Sequence, residues 1–356
     1  MTADKLHDAA DDWPLKRLMT DVVGSGTKSA EDMTRRQAGE AMRRILDGDP
    51  DPTTLGAFWL ANRWKHNTAE ELAAFTDEMC NRVEYATPDA DPVDCGANYD
   101  GKGRTAILGV AAGVVAAGAG TPVVVHSGDR VPTQKRDAYK HVLDELGVAT
   151  ELTPRESADM VDATGVGFYY QPAFNPAVDD LFDRRDRMGV RTFVNTVETL
   201  ANPAGASVHL GSFYHLAFAK RVVETFQRST FHDLDRVIMF QGMEGYDDIR
   251  PGYTKVADWS ADDSFEDYEI ETAEYGMDFE EADLEVDDVA ADSARLTRDV
   301  VAGDRTDHWA DAVILNAAFR IYAGGDADSL DAGLDAARAA IDDGSAAAVL
   351  DDLRAF

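Results

Sequence analysis

The stretch DCGANYDGKGRTAILGVAAGVVAAGAGTPVVVHSGDRVPTQKR, residues 94–136, decides the fold. A turn rich in Gly, Asn and Asp runs into a long helix pattern of small residues. A short buried strand, VVV, follows, then a polar loop that ends on basic residues. Strand, loop, helix and strand in this order, with backbone exposed at the loop, is how α/β proteins hold phosphates and sugars at strand carboxyl ends. Gly96, Gly101 and Gly103 surround Asp100 and permit positive φ and close backbone approach to a ligand. Lys102, Arg104 and Thr105 supply charge and hydrogen bonds for a phosphate at the start of the following helix. The pattern is neither a Walker loop nor a dinucleotide fingerprint, and it also reads as an ordinary βα turn.

Downstream, apolar strand candidates alternate with helical segments. The strands are expected at 123–126, 165–171, 190–195, 207–211 and 236–242, and the helices at 105–118, 135–147, 176–188 and 213–227. This alternation predicts an α/β fold with a mostly parallel central sheet flanked by helices. Residues 256–303 are very acidic and read as a strand-bearing excursion around YEIETAEYG or as a solvated flap. Two C-terminal helices follow, the last pattern broken at Gly344. Upstream, residues 30–85 carry three helical patterns, with Pro52 just before the second and Asn67 or Thr68 as a cap for the third. Pro88 and DADPVD mark a linker. The expected organisation is therefore an N-terminal helical domain, 1–88, joined by helix 176–188, and a large α/β domain, 89–356.

The chain has 356 residues and a net charge of −33, with 25 Arg against 9 Lys. The acidic residues are spread along the chain, which excludes an acidic tail and argues against a localised patch for a basic partner. A salt-adapted surface accounts for charge everywhere with Lys depleted, because screening lets dense carboxylates coexist. Such acidity does not favour nucleic acid. The longest apolar run is broken by Pro122, so no membrane span is expected. The opening MTADKLHDAADDW is unlike a signal peptide. Cys80 and Cys95 form no disulfide framework or metal spacing, and a cytoplasmic location is expected.

Two further loops follow strand candidates. HSGDR places His126 at a strand end and Arg130 just beyond it, and reads equally as a capped loop with a core-edge histidine. EGYDDIRPG places the adjacent carboxylates Asp247 and Asp248 where they would hold Mg²⁺ through one or two oxygens, although a DD pair recurs on the surface of so acidic a chain. Arg184, Arg185, Arg187 and Arg191 form a cluster suited to clamping a carboxylate, or to pairing with Asp183 and Asp186 at a helix end.

Taken together, the segments resemble the anthranilate phosphoribosyltransferase group, glycosyltransferase family 3. FWLANRWKHNTAEELAAFT is similar to that family's helical signature. MGVRTFVNTVETLANPA is similar to its Arg-Thr-x-x-Asn … Asn-Pro segment at Arg191, Thr192, Asn195, Asn202 and Pro203. VILNAAFRIYAGGDADSLDAGLDAARAAIDDGSA is similar to its C-terminal helices. The resemblance implies a helical domain paired with an α/β domain and a homodimer through the helical domain. It also implies Mg²⁺ with phosphoribosyl pyrophosphate as donor, and an aromatic amine such as anthranilate as acceptor. The family's Gly-Thr-Gly-Gly-Asp-Gly loop falls on Gly96 to Gly101, where Gly96, Asp100 and Gly101 match. Its phosphate-binding Asn and metal-binding Ser fall near Ala106, Leu108 and Gly109, and are lost. Its Lys-His-Gly-Asn-Arg falls on Val125 to Arg130, with His126 and Arg130 retained. Its acceptor-binding Arg falls on Arg185 and its metal-binding acids on Asp247 and Asp248. Tyr99 replaces a glycine and would keep backbone from a pyrophosphate. This departure is closest to a divergent branch of the group, and makes a nucleotide- or nucleic-acid-binding protein on the same scaffold the rival expectation. A basic groove of Lys102, Arg104, Lys135 and Arg136 would mark that rival. A nucleoside phosphorylase ranks last, since no phosphate loop with its Lys and Ser is found.

Overall fold

Side-chain caps start the three longer helices of the N-terminal region. Helix α1 (Arg35–Leu46) opens on a reciprocal box in which the Thr34 hydroxyl accepts from the Gln37 N–H and the Gln37 side chain accepts from the Thr34 N–H. Helix α2 (Pro52–Lys65) begins with proline and is capped by Asp51. Helix α3 (Ala69–Cys80) repeats the box with Thr68 and Glu71. This computed structural model describes residues 13–24, 26–262 and 264–356. Most of the polar opening stretch, residues 1–12, lies outside them. The chain divides into two units. The first holds the described residues to Val83, Asn175–Ala201 and Arg221–His232; the second holds Glu84–Phe174, Asn202–Lys220 and Asp233–Phe356.

The first unit buries charge at its joints. Glu71 is fully buried and accepts from the Met33 N–H at 2.9 Å, the Thr68 N–H at 2.9 Å and Lys65 Nζ at 2.6 Å. The strand expected at 190–195 is not formed. Thr192 and Asn195 instead cap a short helix, Val194–Val197: the Asn195 side chain accepts from the Thr192 N–H and the Thr192 hydroxyl from the Val194 N–H. Phe193 stacks on Phe75 at 4.2 Å. Local side-chain bonding has won over β-branched propensity here. The helix expected at 176–188 is two pieces, Pro176–Asp179 and Phe182–Met188.

The second unit runs β1 (Val93–Gly96), α4 (Gly109–Gly118), β2 (Val123–Ser127), α5 (Tyr139–Leu146), α6 (Pro154–Thr164), β3 (Val166–Tyr170), β4 (Val208–Phe213) and β5 (Arg236–Gln241). A hairpin follows, β6 (Tyr253–Ser260) and β7 (Ser264–Glu271), then α7 (Val289–Val301), α8 (His308–Gly324), α9 (Leu330–Asp342) and α10 (Ser345–Ala355). The sheet order is β3-β2-β1-β4-β5-β6-β7. It is parallel as far as β5 and antiparallel at β6 and β7. The acidic excursion is thus a paired hairpin. Four-residue β1 and the polar β6 escape a hydropathy reading.

One face of the sheet carries Phe168, Val125, Cys95, Leu210 and Ile238 side by side, and these join α4 and α8 in the core. Each large apolar side chain buried this way contributes about 1.5–3 kcal/mol. The opposite face carries His126, Asp94 and His209. From β1 the chain builds outward to β2 and β3, then returns to place β4 on the other side of β1. That reversal makes a switch point, where ligands of open α/β sheets bind at the carboxyl ends of the strands.

Candidate active site

The loop after β1, residues 97–108, meets the loop after β5, residues 242–249, at this end of the sheet. Helix α4 begins at Gly109, four residues later than expected, because the preceding N–H groups are engaged elsewhere. Ala106 N donates to Leu284 O, Ile107 N to Ser293 Oγ at 2.8 Å and Leu108 N to Asp248 Oδ2 at 3.1 Å.

Glu244 organises the first half of the site. Its carboxylate accepts from the N–H groups of Gly103 (3.0 Å), Arg104 (3.2 Å) and Thr105 (2.9 Å), from the Thr105 hydroxyl (3.0 Å) and from Arg136 (3.2 Å). Burial raises its carboxyl pKa, but these N–H and hydroxyl donors and Lys102 bring it below the ordinary 4.5. Glu244 sits at φ 51°, a left-handed conformation costing a non-glycine residue about 1–2 kcal/mol. Five hydrogen bonds to one carboxylate offset that cost. Three successive N–H groups, a hydroxyl and a guanidinium form an anion receptor, and in this chain the anion is its own glutamate.

Lys102, Asp247 and Asp248 organise the second half. All three side chains are fully buried. Lys102 Nζ donates to Asp248 Oδ2 at 2.8 Å and to Ala106 O at 2.6 Å. Arg320 Nη2 donates to Asp247 Oδ2 at 2.7 Å, and the Tyr139 hydroxyl donates to Asp247 Oδ1. Burial pushes the Asp247 carboxyl up despite the opposing Arg320 charge, and pushes the Tyr139 hydroxyl well above its usual range. Asn316, one turn before Arg320 on α8, holds the Ile249 N–H at 2.9 Å.

These bonds correct several expectations. Gly101, at φ 80°, leaves room for another loop and not for a ligand: a Cβ there would lie 2.5 Å from Asp137 O. Gly109 makes room for Tyr139, whose hydroxyl oxygen would be 2.4 Å from a Cβ. Gly96 ends β1 opposite Gly211, and Asp100 is buried, its N–H bound to the Asn98 side chain. Lys102 does not face a phosphate, because its ammonium is inside the protein. Arg104 points to Glu281 and Glu285. His126 lies inside the protein: its Nδ1 meets the Tyr99 hydroxyl, and its Nε2 lies 3.1 Å from Asp94 Oδ1, out of line for a hydrogen bond. Asp94 Oδ2 meets His209 Nδ1 at 2.8 Å. Burial alone would raise the Asp94 carboxyl; the two histidines hold it well below the usual carboxylate range. Tyr99 accordingly fills the interior above β1. Arg130 is exposed and pairs with Asp137. Arg185 belongs to the first unit, where it grips Glu198 bidentately at 2.8 and 2.7 Å.

The acidic pair Asp247–Asp248 is the place where Mg²⁺ was expected. Mg²⁺ demands near-octahedral oxygen coordination at about 2.0–2.1 Å. Both oxygens of Asp247 are engaged, and Asp248 keeps one oxygen without a hydrogen bond, Oδ1. Among the described residues no cluster of three His, Cys, Asp or Glu side chains is suited to a metal. The residues present do not fit the ion.

The rival basic groove is not built either. Lys102 is buried, and Arg104 and Arg136 are paired with Glu281, Glu285 and Glu244, so these cations do not line one open basic surface. Three residues of the site were missed in the sequence: Glu244, Tyr139 and Arg320. Arg320 carried a readable signal, a lone cation inside the apolar run VILNAAFRIYA. Glu244 and Tyr139 carried none.

The described residues form a helical unit and an α/β unit whose loops gather at a switch point of the sheet. The chain matches the description "Glycosyl transferase family, helical bundle domain" over residues 22–83 and "Glycosyl transferase family, a/b domain" over residues 94–347. It belongs to this family. An anthranilate phosphoribosyltransferase of Natronomonas pharaonis is 32% identical over 92% of this chain and 96% of the relative. One of Haloarcula marismortui is 30% identical over 91% of this chain and 96% of its own length. The crystal structure of the Thermus thermophilus enzyme of the same name superposes with a TM-score of 0.78 at 27% identity, covering 92% of this chain and 96% of that one. The fold is also that of the Saccharomyces cerevisiae enzyme in complex with PRPP and Mg, with a TM-score of 0.78 at 16% identity, over 99% of this chain and 97% of that one. No helix among the described residues is long and apolar enough to cross a membrane.

Proposed function

We propose that this chain is a phosphoribosyltransferase that moves a phosphoribosyl group from phosphoribosyl pyrophosphate to an aromatic amine, with anthranilate the first acceptor to test. The observation that carries this reading is the anion receptor of residues 103–105 and Arg136 at the switch point of the sheet. A donor phosphate displaces the Glu244 carboxylate and takes over its hydrogen bonds. The amine lone pair then attacks the anomeric carbon. The C–N bond forms as the C–O bond breaks, pyrophosphate leaves with the electron pair, and the new ammonium nitrogen gives up one proton to the departing pyrophosphate. The sugar passes through an oxocarbenium-like state, so the protein's work is positioning and charge stabilisation. No step is routed through a metal. Calorimetry with phosphoribosyl pyrophosphate in molar salt, alongside loss of anthranilate fluorescence on turnover, tests the reading. Absence of both binding and turnover rejects it.

The same reading makes the chain a salt-adapted cytoplasmic enzyme, acting as a homodimer through its helical unit. The net charge of −33 supports the first point, since self-repulsion opposes compaction when screening is weak. A fully retained melting temperature in dilute buffer rejects it. Trp64, exposed beside an apolar groove of Met19, Val23, Ala57 and Leu60, supports the second. A monomeric mass by light scattering in molar salt rejects that.

A further inference from the structure

We propose that Lys102 and Arg320 stand in this chain where a divalent cation would stand, so that the Asp247–Asp248 pair recruits no metal. The inference rests on the reading that this pair borders the phosphosugar site, but not on the identity of the acceptor.

The charge count comes first. Two carboxylates face two cations, and all four side chains are inaccessible to solvent. The cluster is therefore neutral before any ligand arrives. A dication added to it would carry two uncompensated charges into a site closed to solvent, where a charge must be paired and hydrogen-bonded.

Geometry gives the same answer. Each oxygen of Asp247 already carries a fixed donor inside the protein, Tyr139 on one and Arg320 on the other. Asp248 Oδ2 is shared by Lys102 Nζ and the Leu108 N–H, leaving Oδ1 alone. To open the pair, a metal would have to expel the ammonium. Lys102 Nζ is also tied to Ala106 O at 2.6 Å, within the loop whose neighbouring N–H groups hold Glu244. Expelling it would unseat that loop. Arg320 is fixed by its own helix through Asn316 O at 2.9 Å. These cations are built into the frame and are not surface side chains folded in.

The consequence is a division of labour unlike a metal-dependent site. The leaving pyrophosphate meets fixed protein donors, the N–H groups of 103–105 and Arg136, while the acidic pair serves to hold Lys102 and Arg320 in place.

Mn²⁺ binding followed by electron paramagnetic resonance in molar potassium chloride tests this directly. Wild type and Asp248→Asn are expected to give the same weak titration, the shared background of surface carboxylates. Lys102→Met is expected to gain a site at least about tenfold tighter than that background, lost again when Asp248→Asn is added. A wild-type site that disappears in Asp248→Asn overturns the proposal, and so does a folded Lys102→Met variant with no added site. Should Lys102→Met not fold, the comparison of wild type with Asp248→Asn decides alone: a difference overturns, identity supports. The titration is repeated with phosphoribosyl pyrophosphate present. Failure of that sugar to bind, with or without EDTA, rejects the functional reading and leaves the Mn²⁺ result standing.

Discussion

The helical unit and the switch-point end of the sheet both bury ion pairs, but they do so over very different distances in sequence. In the helical unit Lys65 meets Glu71 and Arg185 meets Glu198, partners six and thirteen residues apart. At the sheet, Lys102 meets Asp248 and Arg320 meets Asp247, partners 146 and 73 apart. The first kind closes a local joint and is finished when two neighbouring helices are. The second kind exists only once the whole sheet is assembled, and it sits where ligands of this architecture bind. A buried pair therefore does not mark a site by itself. Its place at the strand ends does.

That contrast can be broken at its strongest point by Arg320→Met. Removing the cation leaves Asp247 buried and unpaired, and unfolding by denaturant in molar salt should lose about 3–5 kcal/mol. A loss below about 1 kcal/mol would mean that Asp247 is reached by water. Lys65→Met in the helical unit should lose less, about 1.5–3 kcal/mol, because Glu71 keeps the Met33 and Thr68 N–H groups. If Lys65→Met proves the more damaging variant, the distinction between the two regions fails.

Glu244→Gln probes the receptor rather than the frame. It should lose about 1 kcal/mol of stability and bind inorganic pyrophosphate about tenfold more tightly than wild type, since the internal competitor is weakened. Unchanged pyrophosphate affinity would show that Glu244 is only a brace. The pH dependence has a defined sign. The folded carboxyl lies below its ordinary 4.5, so its contribution is fully present above about pH 4.5 and is lost as pH falls through the lower folded value. The stability difference between wild type and Glu244→Gln should be flat above that pH and shrink below it. The smallest effect is expected from Arg104→Ala. Its pairs with Glu281 and Glu285 are solvent-exposed, and it should change stability by less than about 1 kcal/mol and weaken further with salt.

Most of the framework was legible because it rests on local rules. Pro52 and Asn67 or Thr68 announce helix starts, Gly344 a stop, and the run VILNAAFRIYA a C-terminal helix. The strand expected at VRTFVN failed because Thr192 and Asn195 spend their side chains on their own backbone, a local competition that hydropathy does not weigh. The site was legible only in its location. The loop GANYDGKGRTAIL was singled out, but the roles expected of its residues differ from the folded ones, since Lys102 turns inward to Asp248 and the following N–H groups close on Glu244.

The sequence by itself determined the class of fold, the family and the loop at which chemistry is to be sought, because period, capping and segment order are properties of neighbours along the chain. Only the tertiary structure decided which charges face one another. Glu244 reaches Thr105 across 139 residues and Lys102 reaches Asp248 across 146, and electrostatic pairing depends on separation in space. GANYDGKGRTAIL reads as an open cradle for a phosphate; folded, it is a cradle already holding the chain's own carboxylate.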